Sequence, residues 1–221
     1  MTLPFPFRPP VRSLAVVTYQ TSVAQEVITA TNTFNGVSFG TASSDRYIIV
    51  GILARSGSTS TTISSVTIGG VAATAVTTLV IPGSGSGENL ASIYIAAVPT
   101  GTTGTVTVVS NNSMARLAIV VWSATGLDSA TAVATGTSSA AAPTASLAVR
   151  YGGFAVGVSY SQSTTSATWA GISENVDTTT NFSNTYTGAS LGQFAAAQAS
   201  LTMTATWASG TAPVGAFASF R

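Results

Sequence analysis

Leu201-Thr-Met-Thr-Ala-Thr-Trp207 alternates strictly, with Leu201, Met203, Ala205 and Trp207 on one side and three threonines on the other. Successive side chains of an extended strand point to opposite faces, whereas a helix brings a face round every ~3.6 residues. The segment therefore reads as a half-buried β-strand, and β-branched threonine suits its wet face.

The same period runs outward through the chain. Arg46-Tyr-Ile-Ile-Val-Gly-Ile-Leu-Ala-Arg55 and Arg116-Leu-Ala-Ile-Val-Val-Trp122 are apolar on both faces, as strands covered on both sides must be. Leu90 to Val98, Thr105 to Val109, Gly153 to Ser161 and Val214 to Phe220 are further strands. Ile63 to Ile68, Gly69-Gly70 and Val71 to Val80 read as a hairpin, because adjacent glycines supply the positive φ that a tight turn needs. Pro82 to Gly87 and Pro99 to Gly104 read as a loop and a turn, and Asn111-Asn112 as another turn before the strand at Arg116. The Ala, Thr and Ser tract from Ser129 to Ser146 reads as a long connection. Leu191 to Ala199, rich in Ala and Gln, is the one segment with helical character.

These elements predict an all-β fold: an antiparallel β-sandwich, jelly-roll-like, of about ten to twelve strands. Ile48, Val50, Ile52, Ile119, Val121 and Trp207 are its expected core, together with Trp122. Residues 1–12 are expected to form an extended arm, since Pro4, Pro6, Pro9 and Pro10 restrict φ and remove ladder donors. Residues 13–221 form a single sandwich domain in this reading. The arm either folds back over its own sandwich or docks on a neighbouring subunit; for docking, Phe5, Phe7 and Arg8 are the candidate residues, because a pre-restricted backbone loses little entropy.

Composition narrows the chemistry. The 221 residues contain no lysine, histidine or cysteine, and only 6% are charged. Ser-His-Asp and Ser-Lys catalysis are thereby excluded, and so are the usual transition-metal ligands. The net charge of +1 offers no basic patch to a phosphate backbone, so no nucleic-acid partner is expected. The longest nearly continuous apolar stretch, Tyr47 to Ala54, is far shorter than the ~20 residues of a spanning helix. Prolines interrupt the N-terminus where a signal peptide would be continuously apolar, so neither a membrane nor an export signal is expected.

One local constellation stands out. Trp169-Ala-Gly-Ile-Ser-Glu-Asn-Val-Asp177 combines two carboxylates with an upstream indole. Paired acids can run glycoside hydrolysis, and Glu174, Asn175 and Asp177 offer the oxygen ligands that calcium takes. The simpler reading is a loop between strands, without catalysis, metal or cofactor. As a sugar-recognition surface, Trp169, Asn175, Asp177 and Tyr186 are the candidate glycan-binding residues. Arg46, Arg55, Arg116 and Arg150 border strands and read as solvated rim residues.

The order Asp45-Arg-Tyr-Ile-Ile-Val, Val66-Thr-Ile-Gly-Gly-Val-Ala-Ala-Thr74, Ile93 to Val98 with Pro99-Thr-Gly101, Trp122-Ser-Ala-Thr-Gly-Leu127 and Thr168-Trp-Ala-Gly-Ile-Ser-Glu174 resembles β-sandwich virion proteins of tailed bacteriophages and gene transfer agents. The resemblance covers Asp45 to the C-terminus and brings no catalytic residues. It implies a non-enzymatic particle component of the head spike, fibre or decoration type. Its expected partners are other virion proteins and further copies of itself, with a host-surface glycan as the alternative ligand, and its expected location is the virion.

Overall fold

The computed structural model describes residues 14–27, 29–83, 85, 87–180 and 184–221. The predicted arm, with Phe5, Phe7 and Arg8, lies outside the described residues. Within them the chain is all-β, antiparallel throughout and without a helix. The strands are β1 (Val16–Gln25), β2 (Thr29–Ser38), β3 (Tyr47–Ser56), β4 (Ile63–Ile68), β5 (Val71–Ala72), β6 (Thr74–Pro82), β7 (Glu88–Ala97) and β8 (Thr103–Thr125). After them come β9 (Ala134–Ser138), β10 (Thr144–Val149), β11 (Phe154–Gln162), β12 (Ala167–Ala170), β13 (Ser173–Thr180), β14 (Asn184–Leu191), β15 (Gln198–Trp207) and β16 (Thr211–Phe220).

β8 organises the first sheet. Its first part, to Ser110, is flanked by β2 and β4, and its second part, from Met114, by β1 and β3. The sheet runs β5-β4-β8-β3-β7-β6. Ala73 alone connects β5 on one edge to β6 on the other. Ala72 and Thr74 can lie at most about 7 Å apart, whereas the two edges of a flat run of six strands spaced ~4.8 Å would lie about 24 Å apart, so a flat sheet of this order cannot be connected in that way. The sheet therefore folds on itself. Its interior holds Phe34, Val66, Val106, Ile48, Val50, Ile52, Tyr94, Ile119 and Val121.

Two more layers follow. The outer face of β3, β7 and the second part of β8 presents Ile49, Leu53, Ile93 and Trp122 to Phe154, Val156, Val158, Tyr186, Ala216 and Phe220 of a second sheet, ordered β13-β14-β11-β16-β9. The far face of that sheet packs Ala155, Ala189 and Phe217 against Leu147, Val149 and Met203 of a third, β10-β15-β12. Three apolar interiors thus separate four layers of strands. That stacking explains why Tyr47 to Ala54 and Val214 to Phe220 are apolar on both faces: each lies in a layer covered on both sides. The expected core residues Ile48, Val50, Ile52, Ile119, Val121, Trp122 and Trp207 are all buried. In β15 the alternation holds, with Met203 and Ala205 buried and Thr202 and Thr206 exposed.

Four local expectations are corrected. Leu191 to Ala199 is not helical: Gln193 has φ +58°, and Phe194 exchanges backbone hydrogen bonds with Gly152 and Gly153 at 2.8 and 3.2 Å, so its amide is bonded across the fold rather than along a helix. Asn111-Asn112 is not a turn but part of β8. Asn111 Nδ2 donates to Ser60 O at 2.9 Å and Asn112 Nδ2 to Thr59 O at 3.0 Å, so their amides hold the 59–62 loop against the strand. The hairpin after Ile63 is short, for only Val71 and Ala72 return along β4 before the chain crosses to β7. The Ser129 to Ser146 tract supplies β9 and the start of β10.

Candidate functional site

The Trp169–Asp177 stretch is not the loop expected from the sequence: it is the end of β12, a two-residue bend and the start of β13, which carries both acids and pairs with β14. The register of that pair slips between Glu174 and Val176, which leaves Asn175 as an extra residue. A bulge of this kind re-aims a side chain. Asn175 Oδ1 accepts hydrogen bonds from Trp122 Nε1 and from Ser190 Oγ, both at 2.8 Å. Its amide thus faces the first sheet.

Asp177 faces the other way. Its Oδ2 accepts the backbone N–H of Ala167 at 3.0 Å, which fixes the start of β12. Burial pushes its carboxyl above the usual range, and the hydrogen bonds from Ser166 and Ala167 only partly offset that. Glu174 is also pushed up, first by desolvation and then by the Asp177 charge. Asn175 and Asp177 therefore do not converge on a common point, and the calcium arrangement weighed from the sequence loses its third ligand. Among the described residues no three His, Cys, Asp or Glu side chains are grouped so as to hold a metal ion.

The four glycan candidates separate in the same way. Tyr186 is buried at 3% exposure between the first and second sheets. Trp169 lies between the second and third, edge-on to Phe217 with ring centroids 6.1 Å apart, and its Nε1 donates to Thr187 Oγ1 at 2.7 Å. Trp169 and Tyr186 thus occupy opposite faces of one sheet and share no outward surface.

Arg46 overturns the rim reading. It is 1% exposed, and its guanidinium donates to five backbone carbonyls: Val98 at 2.8, Phe39 at 3.3, Gly40 at 2.9, Thr100 at 2.8 and Gly101 at 2.7 Å. Burial pushes its pKa down, yet a guanidinium keeps its charge in proteins. The sequence sets Arg46 apart from the exposed Arg150 only by its place at the start of a doubly apolar strand, a place that Arg116 shares while staying half-buried. Arg55 and Arg116 are half-buried and face each other across β3 and β8. At the same end Tyr160 donates its hydroxyl to Asn184 Oδ1, and burial pushes the phenol far up.

The carbonyls that Arg46 gathers border an open groove of about 520 Å³, lined by Phe39, Gly69, Val71, Val98, Pro99 and Thr105 among others. No ionisable side chain lines it, so it offers surface rather than chemistry. No helix among the described residues is long and apolar enough to cross a membrane. Compared with protein families, curated proteins and solved structures, the chain matches none of them.

Proposed function

We propose that this protein is a non-enzymatic structural component of a phage or phage-like particle, of the capsid decoration, spike or fibre type. In this reading it is made in the host cytoplasm and carried in the virion, as a homo-oligomer or in many copies, bound to other virion subunits. The observation that carries the reading is where the polar groups are directed. Arg46, Asn175, Asp177 and Trp169 each bond to the chain's own backbone or side chains. A fold that devotes its reactive groups to holding layers together suits a particle shell better than a reaction centre. The low charge adds to this, since weakly charged surfaces favour association. The jelly-roll-like sandwich belongs to the same proposal and is supported by the stacked apolar layers.

The glycan-binding alternative gains no observation of its own, because Trp169 and Tyr186 lie on opposite sheet faces. The test is removal of residues 1–10, with their Phe5 and Phe7, followed by particle assembly. The truncated chain is expected to fold and to be incorporated poorly. Normal incorporation would sink the docking role of the arm, and absence of the full-length chain from purified particles would sink the virion reading itself.

A further inference from the structure

The pairing pattern of the chain repeats. In its second half β9 pairs with β16, β10 with β15, β11 with both β14 and β16, β12 with β15, and β13 with β14. In its first half β1 pairs with the second part of β8, β2 with its first part, β3 with both β7 and the second part of β8, β4 with the first part, and β6 with β7. Every pairing of the second half has a counterpart in the first, in the same chain order. Only β5 is additional, and the continuous β8 corresponds to the divided β15 and β16.

The register repeats as well. Across the first half one rank reads Tyr19, Trp122, Ile49, Ile95, Thr74. Across the second it reads Thr135, Ala218, Val156, Ser190, Ser173. One pair beyond the end of each rank the ladder slips by one residue, at Val76 in β6 and at Asn175 in β13. Shared topology alone does not require a bulge at the same pleat of the same strand.

Side-chain volumes compensate at matching positions. Val50 corresponds in register to Gly157, and Ile68 at the end of β4 corresponds to Trp169 near the end of β12, each two residues before a glycine of matching left-handed φ, Gly70 at +81° and Gly171 at +83°. A Cβ on Gly157 would lie 2.9 Å from the Trp169 ring. One half fills this place with two medium side chains, the other with an indole over a glycine.

The two halves also meet through matching surfaces. Gly51 and Val158 hold the same register position, and a Cβ on Gly51 would lie 2.3 Å from Val158 Cγ1. Each half thus buries the same face against the other, as the subunits of a two-fold homodimer do.

We infer that the chain is two copies of one sandwich module, fused through the face by which that module pairs with a second copy of itself. The apolar seam is a self-association surface, and its partner is another module of the same fold. Every outward surface of the module is consequently presented twice by one chain. This inference stands independently of the virion reading.

The test uses the full chain with a protease site inserted between Ser129 and Ala130, cut after folding. The two fragments are expected to stay together in native mass spectrometry and to keep their β circular dichroism. Gly51→Leu should let the cut fragments separate while the uncut variant stays folded. Gly188→Val, whose added atoms meet Val120 from 2.7 Å, serves the same purpose if the first variant does not fold. Fragments of the cut protein separated in urea and returned singly to buffer should each form a homodimer. Loss of structure on cutting, or fragments that refold as stable monomers, would overturn the inference, as would cut seam variants that hold together as firmly as the parent.

Discussion

Trp122 and Asn175 are joined by a 2.8 Å hydrogen bond that crosses the apolar interface between the first and second sheets. The indole is fully buried in the first sheet, and its acceptor is the residue that the β13 bulge sets out of step. A polar pair at this depth ties the sheets at one register.

Asn175→Ala should therefore destabilise by about 1–3 kcal/mol, because it leaves a buried indole N–H without an acceptor. Trp122→Phe should lose packing as well, yet it leaves Asn175 with Ser190. Urea midpoints of the two single variants and the double variant would give the coupling between them, which should be clearly non-zero.

Arg46→Lys should destabilise by about 3 kcal/mol or more, since an ammonium has three donors for five carbonyls. The 39–40 and 98–101 segments should then exchange their amides faster while β3 stays protected, as read by hydrogen exchange. A loss below about 0.5 kcal/mol would mean that the loops hold without the arginine.

Ile119, with no exposed surface, lies inside the folded first sheet. Ile119→Ala should cost about 2–4 kcal/mol through the cavity it leaves, measured by equilibrium denaturation.

Gly157→Val should be destabilising through collision with the Trp169 ring. Adding Trp169→Ile should recover part of that loss, because the pair then matches Val50 and Ile68 of the other half. A double variant no more stable than the sum of the singles would break the equivalence of these positions.

Asp177 and Glu174 set a sign for the pH dependence. Both carboxyls are raised in the folded state, so the folded state holds their protons more tightly than the unfolded chain does. Their contribution is fully present below the unfolded carboxylate range and is lost as pH rises through the folded values. Asp45 acts oppositely, held below its usual range by the Ser43 hydroxyl and the Gly126 amide. Asp177→Asn should thus reduce the loss of stability on going from acid to neutral pH, measured as melting temperature against pH.

The strands were legible because burial acts through side-chain alternation, which is local. Leu201 to Trp207, Tyr47 to Ala54 and Val214 to Phe220 carry their pattern in consecutive residues, and doubly apolar runs already imply cover on both faces. The misread segments each depend on a distant partner. Asn111 and Asn112 have turn-forming side chains, but the 59–62 loop takes up their amides. Gly69-Gly70 does turn the chain, yet the return strand lasts two residues because β6 has a better place beside β7.

The candidate site shows the same division. Residue types and spacing brought Trp169, Glu174, Asn175 and Asp177 to notice, and the absence of lysine, histidine and cysteine restricted their chemistry. Which way each points was decided by a one-residue slip in β13, and a slip in register sends neighbouring side chains to opposite faces. The burial of Arg46, the stacking of four layers and the repeated pairing of the two halves likewise came only from the folded chain. Alternation is written within a few consecutive residues and survives in any β-fold. Register and layer order depend on contacts between segments far apart in the chain, and no local pattern encodes those.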